Sequence, residues 1–212
     1  MTKKVAFLTV VVALMLTACT NKPFSKFASK QQEGFDTVME MMEKLKKMDV
    51  YSEEASEFNK KMNEKMEALL EEMNEAAKAS IGTDVYTETT SETGITVDGN
   101  FRIADVVPGS DPTFLLKVKA KVADATNLRN VYVFGYEGNT PLLPLGSCPN
   151  YELDGEKDIL LFPLHCDSDD PELPKRLGRI TRIVLSTDEA LYDQLKQERQ
   201  IRKDEMKEKF FQ

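Results

Sequence analysis

Tryptophan is absent from this 212-residue chain, histidine occurs once and cysteine three times. A Ser-His-Asp mechanism needs an imidazole base, and His165 is the sole histidine that could serve. It stands beside Cys166 at the end of an apolar stretch. Neighbours in a strand point to opposite faces, which is a poor arrangement for a thiol and its base. The chain also lacks Gly-x-Ser-x-Gly, His-Glu-x-x-His and any Gly-rich loop of the phosphate-cradling kind. No catalytic residue and no cofactor are expected. Positive charge is in deficit as well, with 28 Lys and Arg against 36 Asp and Glu, a net charge of −8. Nucleic acid and anionic lipid recruit clustered Lys and Arg, so nucleic acid is excluded as a partner. Long apolar runs are missing too. The longest, residues 5–16, is about 12 residues, or about 18 Å as a helix, against about 30 Å for a bilayer core.

That run is nevertheless informative. Lys3 and Lys4 precede it, and the small residues Thr17 and Ala18 follow. Positive start, short apolar centre and small end make residues 1–18 a targeting segment, to be left out of fold reasoning. The stretch Leu16-Thr17-Ala18-Cys19 resembles the lipobox of bacterial lipoproteins. The resemblance implies cleavage before Cys19, a thioether-linked diacylglycerol on its sulfur, and acylation of the new amine. One acyl chain anchors reversibly, at about 0.8 kcal/mol per buried CH₂, whereas two or three do not let go. Thr20 follows the cysteine, and in enteric-type sorting the lack of Asp there implies an outer-membrane lipoprotein facing the periplasm. Loss of the signal removes two lysines and no acid, leaving 26 basic against 36 acidic residues, net −10.

With Cys19 assigned to lipid, Cys148 and Cys166 remain. In an oxidising compartment an even pair reads as a disulfide. It would close a loop of about 18 residues, worth about 3 kcal/mol by chain entropy. Two buried thiols, or a half-built metal site with His165, are the alternatives.

Residues 19–31 contain Pro23, Ser25, Ser29 and three lysines without clear periodicity, and read as a lipidated tether. Residues 32–80 are helical. Phe35, Val38, Met39, Met42, Leu45 and Met48 form one series, and Ala55, Phe58, Met62, Met66, Leu69, Met73 and Ala76 a second. Steps of three and four place each series on one helix face. Ser52 is placed to cap Glu53 and Glu54, so a break near 49–52 is favoured. That gives a helical hairpin, with a single bent helix as the competitor. The Met-rich stripe is either an adaptable binding surface or, more simply, core or a self-association seam.

From 81 to 186 the pattern turns to β. Short apolar-alternating runs are separated by turn residues, among them Asp98-Gly99-Asn100 and Glu137-Gly138-Asn139. Ser186-Thr187-Asp188-Glu189 resembles a capping box, which opens a helix over 187–212. The expected fold class is α+β: a helical hairpin or bent long helix, an antiparallel β-sandwich of about seven short strands, and a C-terminal helix.

Three sets of residues are candidates for binding. Lys117, Lys119 and Lys121 make a row spaced about 7 Å on one strand face, suited to an acidic partner or to discouraging edge aggregation. Tyr132, Phe134 and Tyr136 alternate with Val131 and Val133. If the valines face the core, the aromatics project outward as a polysaccharide-binding row; if the aromatics are core, nothing remains to explain. Asp167, Asp169, Asp170 and Glu172 gather carboxylates in one loop, a weak calcium candidate that lacks the Gly and late Glu of an EF-hand. Together these features lead to the expectation of a membrane-anchored envelope lipoprotein, non-enzymatic, held to the bilayer through acylated Cys19 and binding an envelope protein or polysaccharide. An envelope hydrolase using carboxylates and a self-associating helical spacer are the alternatives.

Overall fold

The structure is a computed structural model that describes residues 22–48, 52–154, 157–166, 170 and 172–211. Two helices lead, α1 (Ser25–Leu45) and α2 (Glu53–Lys78). Strands β1 (Asp84–Thr89), β2 (Ile95–Val107), β3 (Thr113–Val122), β4 (Tyr132–Glu137), β5 (Thr140–Ser147), β6 (Asn150–Asp154) and β7 (Lys157–His165) follow. A short helix α3 (Leu173–Leu177), strand β8 (Arg182–Ser186) and helix α4 (Glu189–Phe211) complete the chain.

The α+β class holds, and the two leading helices pair as a hairpin: Lys30 near the start of α1 bonds Glu72 near the end of α2 at 2.8 Å. Ser52 caps α2 as its position predicts, its hydroxyl accepting the Ala55 N–H at 3.1 Å. The strands, however, do not make an antiparallel sandwich. They join in one curled, mixed, eight-stranded sheet of order β5-β4-β8-β1-β2-β3-β7-β6, in which β1 and β8 run parallel.

The curl turns on β1. Its first residues pair with β2 (Asp84 with Arg102, Val85 with Phe101), and residues 86–89 then pair with β8. A strand that changes partners makes a corner. Side chains carry the ladder across it. The buried Thr87 hydroxyl accepts the Phe101 N–H at 2.8 Å, and the Asn100 carboxamide oxygen accepts the Thr87 N–H at 3.1 Å. Asp98-Gly99-Asn100 is therefore no hairpin turn. It is a bulge inside β2, where Asp98 pairs with Lys119 and Arg102 with Lys117, so four steps on β2 match two on β3. Gly99 takes φ +101° there, a conformation glycine adopts without a Cβ penalty. At the far side β5 curls toward β7, and a Cβ on Gly146 would stand 2.8 Å from the Phe162 ring.

The concave side is filled by Phe101, Ile103, Phe114, Leu116, Leu160 and Leu185 and is covered by Phe24 and Phe27. Both of these meet the Phe114 ring edge-on, with centroids at 5.4 and 5.1 Å. That packing corrects the tether. Helix α1 begins at Ser25 instead of 32, because Phe24, Phe27, Ala28 and Gln31 follow the same three-four spacing and are buried. The intervening Lys26, Ser29 and Lys30 hid the pattern. The start of α4 is likewise shifted. Asp188, not Ser186, caps it, accepting the Leu191 N–H at 2.9 Å, while Ser186 closes β8 and accepts the Asp188 N–H.

Candidate interaction surfaces

On β3 the alternation behaves as expected: Phe114, Leu116, Val118 and Ala120 are buried and Lys117, Lys119 and Lys121 are exposed. The pairing register builds a surface around the row. Arg102 lies opposite Lys117, Asp98 opposite Lys119 and Thr96 opposite Lys121 on β2, while Leu161 and Ile159 flank the row on β7. Ile159 is buried although it shares the outward face with Lys119 and Glu152. The aliphatic stems of lysine cover apolar neighbours in this way while the ammonium groups stay in water. The face is thus basic along β3, with carboxylates at its margins and an apolar floor.

The aromatic row has a third fate that strand periodicity alone does not reveal. Val131 and Val133 do face the core and are fully buried, so Tyr132, Phe134 and Tyr136 point to the convex side. There α4 lies over Tyr132 and Phe134. Tyr192 stacks on Tyr132 with centroids 4.6 Å apart and meets Phe134 edge-on at 6.2 Å. Burial and the neighbouring Glu189 carboxylate push the Tyr132 phenol above its ordinary pKa. Tyr136 carries the Arg182 guanidinium at 5.0 Å from its ring centroid, and Arg182 is in turn bonded to Glu88. Tyr132 and Phe134 are thus a seat for the chain's own helix, and Tyr136 is covered by Arg182 of β8.

Of the acidic loop, Asp167 and Asp169 lie outside the described residues. Asp170 and Glu172 have duties other than metal ligation. The Asp170 carboxylate is fully buried, accepts from Arg199 Nε on α4 at 2.9 Å, and accepts the Glu172 N–H at 3.1 Å. Glu172 pairs with Lys175 at 2.8 Å. Burial and the nearby Arg176 lower the pKa of the Arg202 guanidinium, while Asp170 opposes that shift. A carboxylate already engaged by guanidinium groups is a poor calcium ligand, and no metal-holding cluster occurs among the described residues.

The expected bridge between Cys148 and Cys166 is not formed; both are free thiols. The register explains why. Asn150 pairs with Leu161, and Cys166 lies five residues further along the β7 direction, roughly 16 Å away. Two residues of chain bring Cys148 at most about 7 Å back toward it. The remaining gap of about 9 Å exceeds the roughly 7 Å limit between bridgeable Cα atoms. Cys148 is exposed at φ +56°, its thiol donating to the Arg129 carbonyl at 3.1 Å. Cys166 is buried, and burial pushes its thiol far above the ordinary value. His165 is exposed on the opposite face, its Nδ1 2.9 Å from the Thr113 hydroxyl, so the two do not form a dyad. In the Cys19→Ser variant, a maleimide should modify one thiol per native chain, at Cys148. A second, Cys166, should react only after denaturation, as counted by intact mass. Two modified thiols before denaturation would contradict this assignment.

Two features had no signal in the sequence. Helix α3 is only a single short turn region, with Pro174 at its start, too brief for periodicity to register. An open groove of about 560 Å³ lies between it and α1, with Asp36 and Glu40 on one wall and Lys175 and Arg179 on the other. Arg179 is bonded to Glu137, whose carboxyl it holds below the usual range. No family model, curated protein or solved structure matches the chain.

Proposed function

We propose that the chain is the precursor of a lipid-anchored envelope lipoprotein, cut before Cys19 and resident on the outer membrane facing the periplasm. There it acts as a non-enzymatic binding module for an acidic envelope protein or polysaccharide. The observation that carries this reading is the coincidence of charge, apolar length, small residues and Cys19 in the first 19 residues. The position of Phe24 adds a consequence. It is locked in the core, so Thr20 to Pro23 form the linker to the anchor, about 14 Å when extended. The module therefore stays within that reach of the bilayer, and the hairpin tip lies about 31 Å along α1 from its anchored end. For the partner, the exposed row of Lys117, Lys119 and Lys121 with Arg102 is the surface of matching charge, since the aromatic row is already engaged by α4 and Arg182.

Cells grown with radioactive palmitate should yield a labelled, membrane-bound protein, and Cys19→Ser should abolish the label and release the chain to the soluble fraction. An unlabelled wild-type protein found free in solution would end the proposal. Changing all three lysines to Gln should weaken partner capture several-fold more at low salt than at high, because charge pairing at an exposed face is screened. Equal capture by both forms would overturn the row's role in binding; an edge-protecting role, the other use the sequence allows, is ruled out because β3 lies inside the sheet between β2 and β7.

A further inference from the structure

The hairpin is not a closed unit. Between Phe35 and Met73 its apolar residues are part-exposed, with Ala55 the single buried one among those described. Met42 and Leu70 are each 38% exposed. Two helices cannot bury two apolar stripes wider than their line of contact, and here the sheet covers only the stretch that begins α1 and ends α2. The Lys30–Glu72 pair marks one flank of the hairpin. At 100° per residue, Phe35, Met39 and Met42 of α1 and Met66 and Leu70 of α2 fall toward the other flank, on a common side.

We infer that this apolar side of the hairpin is the seam for a second copy of the chain, so that two hairpins close into a four-helix bundle. Three observations select a second copy as the occupant. The first is charge. The edge of the face on α1 carries Asp36 and Glu43, with Lys46 at its end, whereas the edge on α2 carries Ser56, Asn59 and Asn63, with Lys60 and Glu67 cancelling behind them. A two-fold axis along the hairpin sets α1 of one copy against α2 of the other, antiparallel as in four-helix bundles. Glu43 on one edge then meets the Asn59 amide on the other, while Asp36, bonded to Gln32, comes level with Met66. The second is level. Lys30 opposite Glu72 puts Glu43 at the height of Asn59, so the complementary edges coincide under that axis. The third is area. A face about 25 Å by 20 Å removes roughly 500 Å² per copy and about 1,000 Å² in all, near the lower bound for a specific interface. A weak, concentration-dependent dimer is the consequence. Methionine, with its unbranched and polarizable side chain, suits such a seam. The pairing stands apart from the anchoring proposal, although a shared membrane would concentrate the two copies.

Sedimentation of the full chain in density-matched mild detergent tests it. The wild type should pass from monomer to dimer with concentration. Met42→Glu with Leu70→Glu should move that transition at least tenfold higher, with helical circular dichroism unchanged. Lys61→Glu, on the opposite side, and the triple lysine variant should leave it in place, which separates this seam from the β3 surface. A second measurement needs no charge in the seam: chains bearing Glu43→Cys and Asn59→Cys, each with Cys148→Ser, are mixed and treated with a short bismaleimide. A mixed covalent dimer is expected. A monomer at every concentration, a dimer indifferent to the paired Glu variant, or no mixed crosslink would overturn the inference.

Discussion

Phe114→Ala should lower the unfolding free energy by about 3–5 kcal/mol, the cost of a large cavity in a packed core. Phe114 is fully buried, pairs with Val106 on β2 and Leu164 on β7, and receives Phe24 and Phe27 of the α1 start on its ring. Domains of this size are stable by about 5–15 kcal/mol, so one side chain accounts for a large share. The loss combines the transferred ring area with the edge-to-face contacts, each worth about 0.5–1.5 kcal/mol beyond area. The neighbouring Leu115→Ala, on the convex face and only half-buried, serves as the comparison and should cost less than about 1.5 kcal/mol. Denaturant midpoints followed by circular dichroism read both. A Phe114→Ala loss as small as that of Leu115→Ala would mean that α1 does not rest on the sheet, and with it would go the short linker between anchor and fold.

Removing the Asp170 carboxylate is the second large effect. Its oxygens join the turn before α3 to α4 through the Glu172 N–H and Arg199. Truncating one partner of a buried ion pair costs about 3–5 kcal/mol, because the other charge stays desolvated. Arg199 retains about a quarter of its side-chain exposure, so Asp170→Ala should cost less, about 2–3 kcal/mol. The expected signature is local: amide exchange should quicken along the first half of α4, and Tyr192 should lose protection over Tyr132 and Phe134. Replacing both partners by Leu should recover much of the loss, since an apolar pair of similar volume avoids the desolvation penalty. Unchanged exchange in α4 after Asp170→Ala would show that the aromatic stack alone holds the helix.

Much of the local structure was readable residue by residue. The three-four spacing from Phe35 to Ala76 marked both helices, and Ser52 marked the start of the second. The buried face of β3 was visible in the alternation of Phe114, Leu116, Val118 and Ala120 with lysine. Sequence and structure part where a local signature has two uses. Asp98-Gly99-Asn100 has the chemistry of a hairpin turn and of a bulge, and the choice between them depends on whether Asn100 has a partner on β1. Ser186 and Asp188 are both capable helix caps, and the strand that ends at Ser186 decides between them. Cys148 and Cys166 form an even pair by count, yet strand register holds them apart. The alternation of Tyr132, Phe134 and Tyr136 fits either a core face or a ligand site, and the residue that decides, Tyr192, lies more than fifty positions downstream.

What the sequence settled unaided was whatever depends on neighbours within about four positions: helix faces, strand alternation and the Ser52 cap. Such features arise from backbone geometry and side-chain type, which are local. The tertiary structure alone decided which strand pairs with which, that β1 turns a corner between β2 and β8, that α4 covers the aromatic row, and that the hairpin leaves Met42 and Leu70 uncovered. Each of these is a competition among distant surfaces for the same apolar area and the same donors, and its outcome depends on every element present at once.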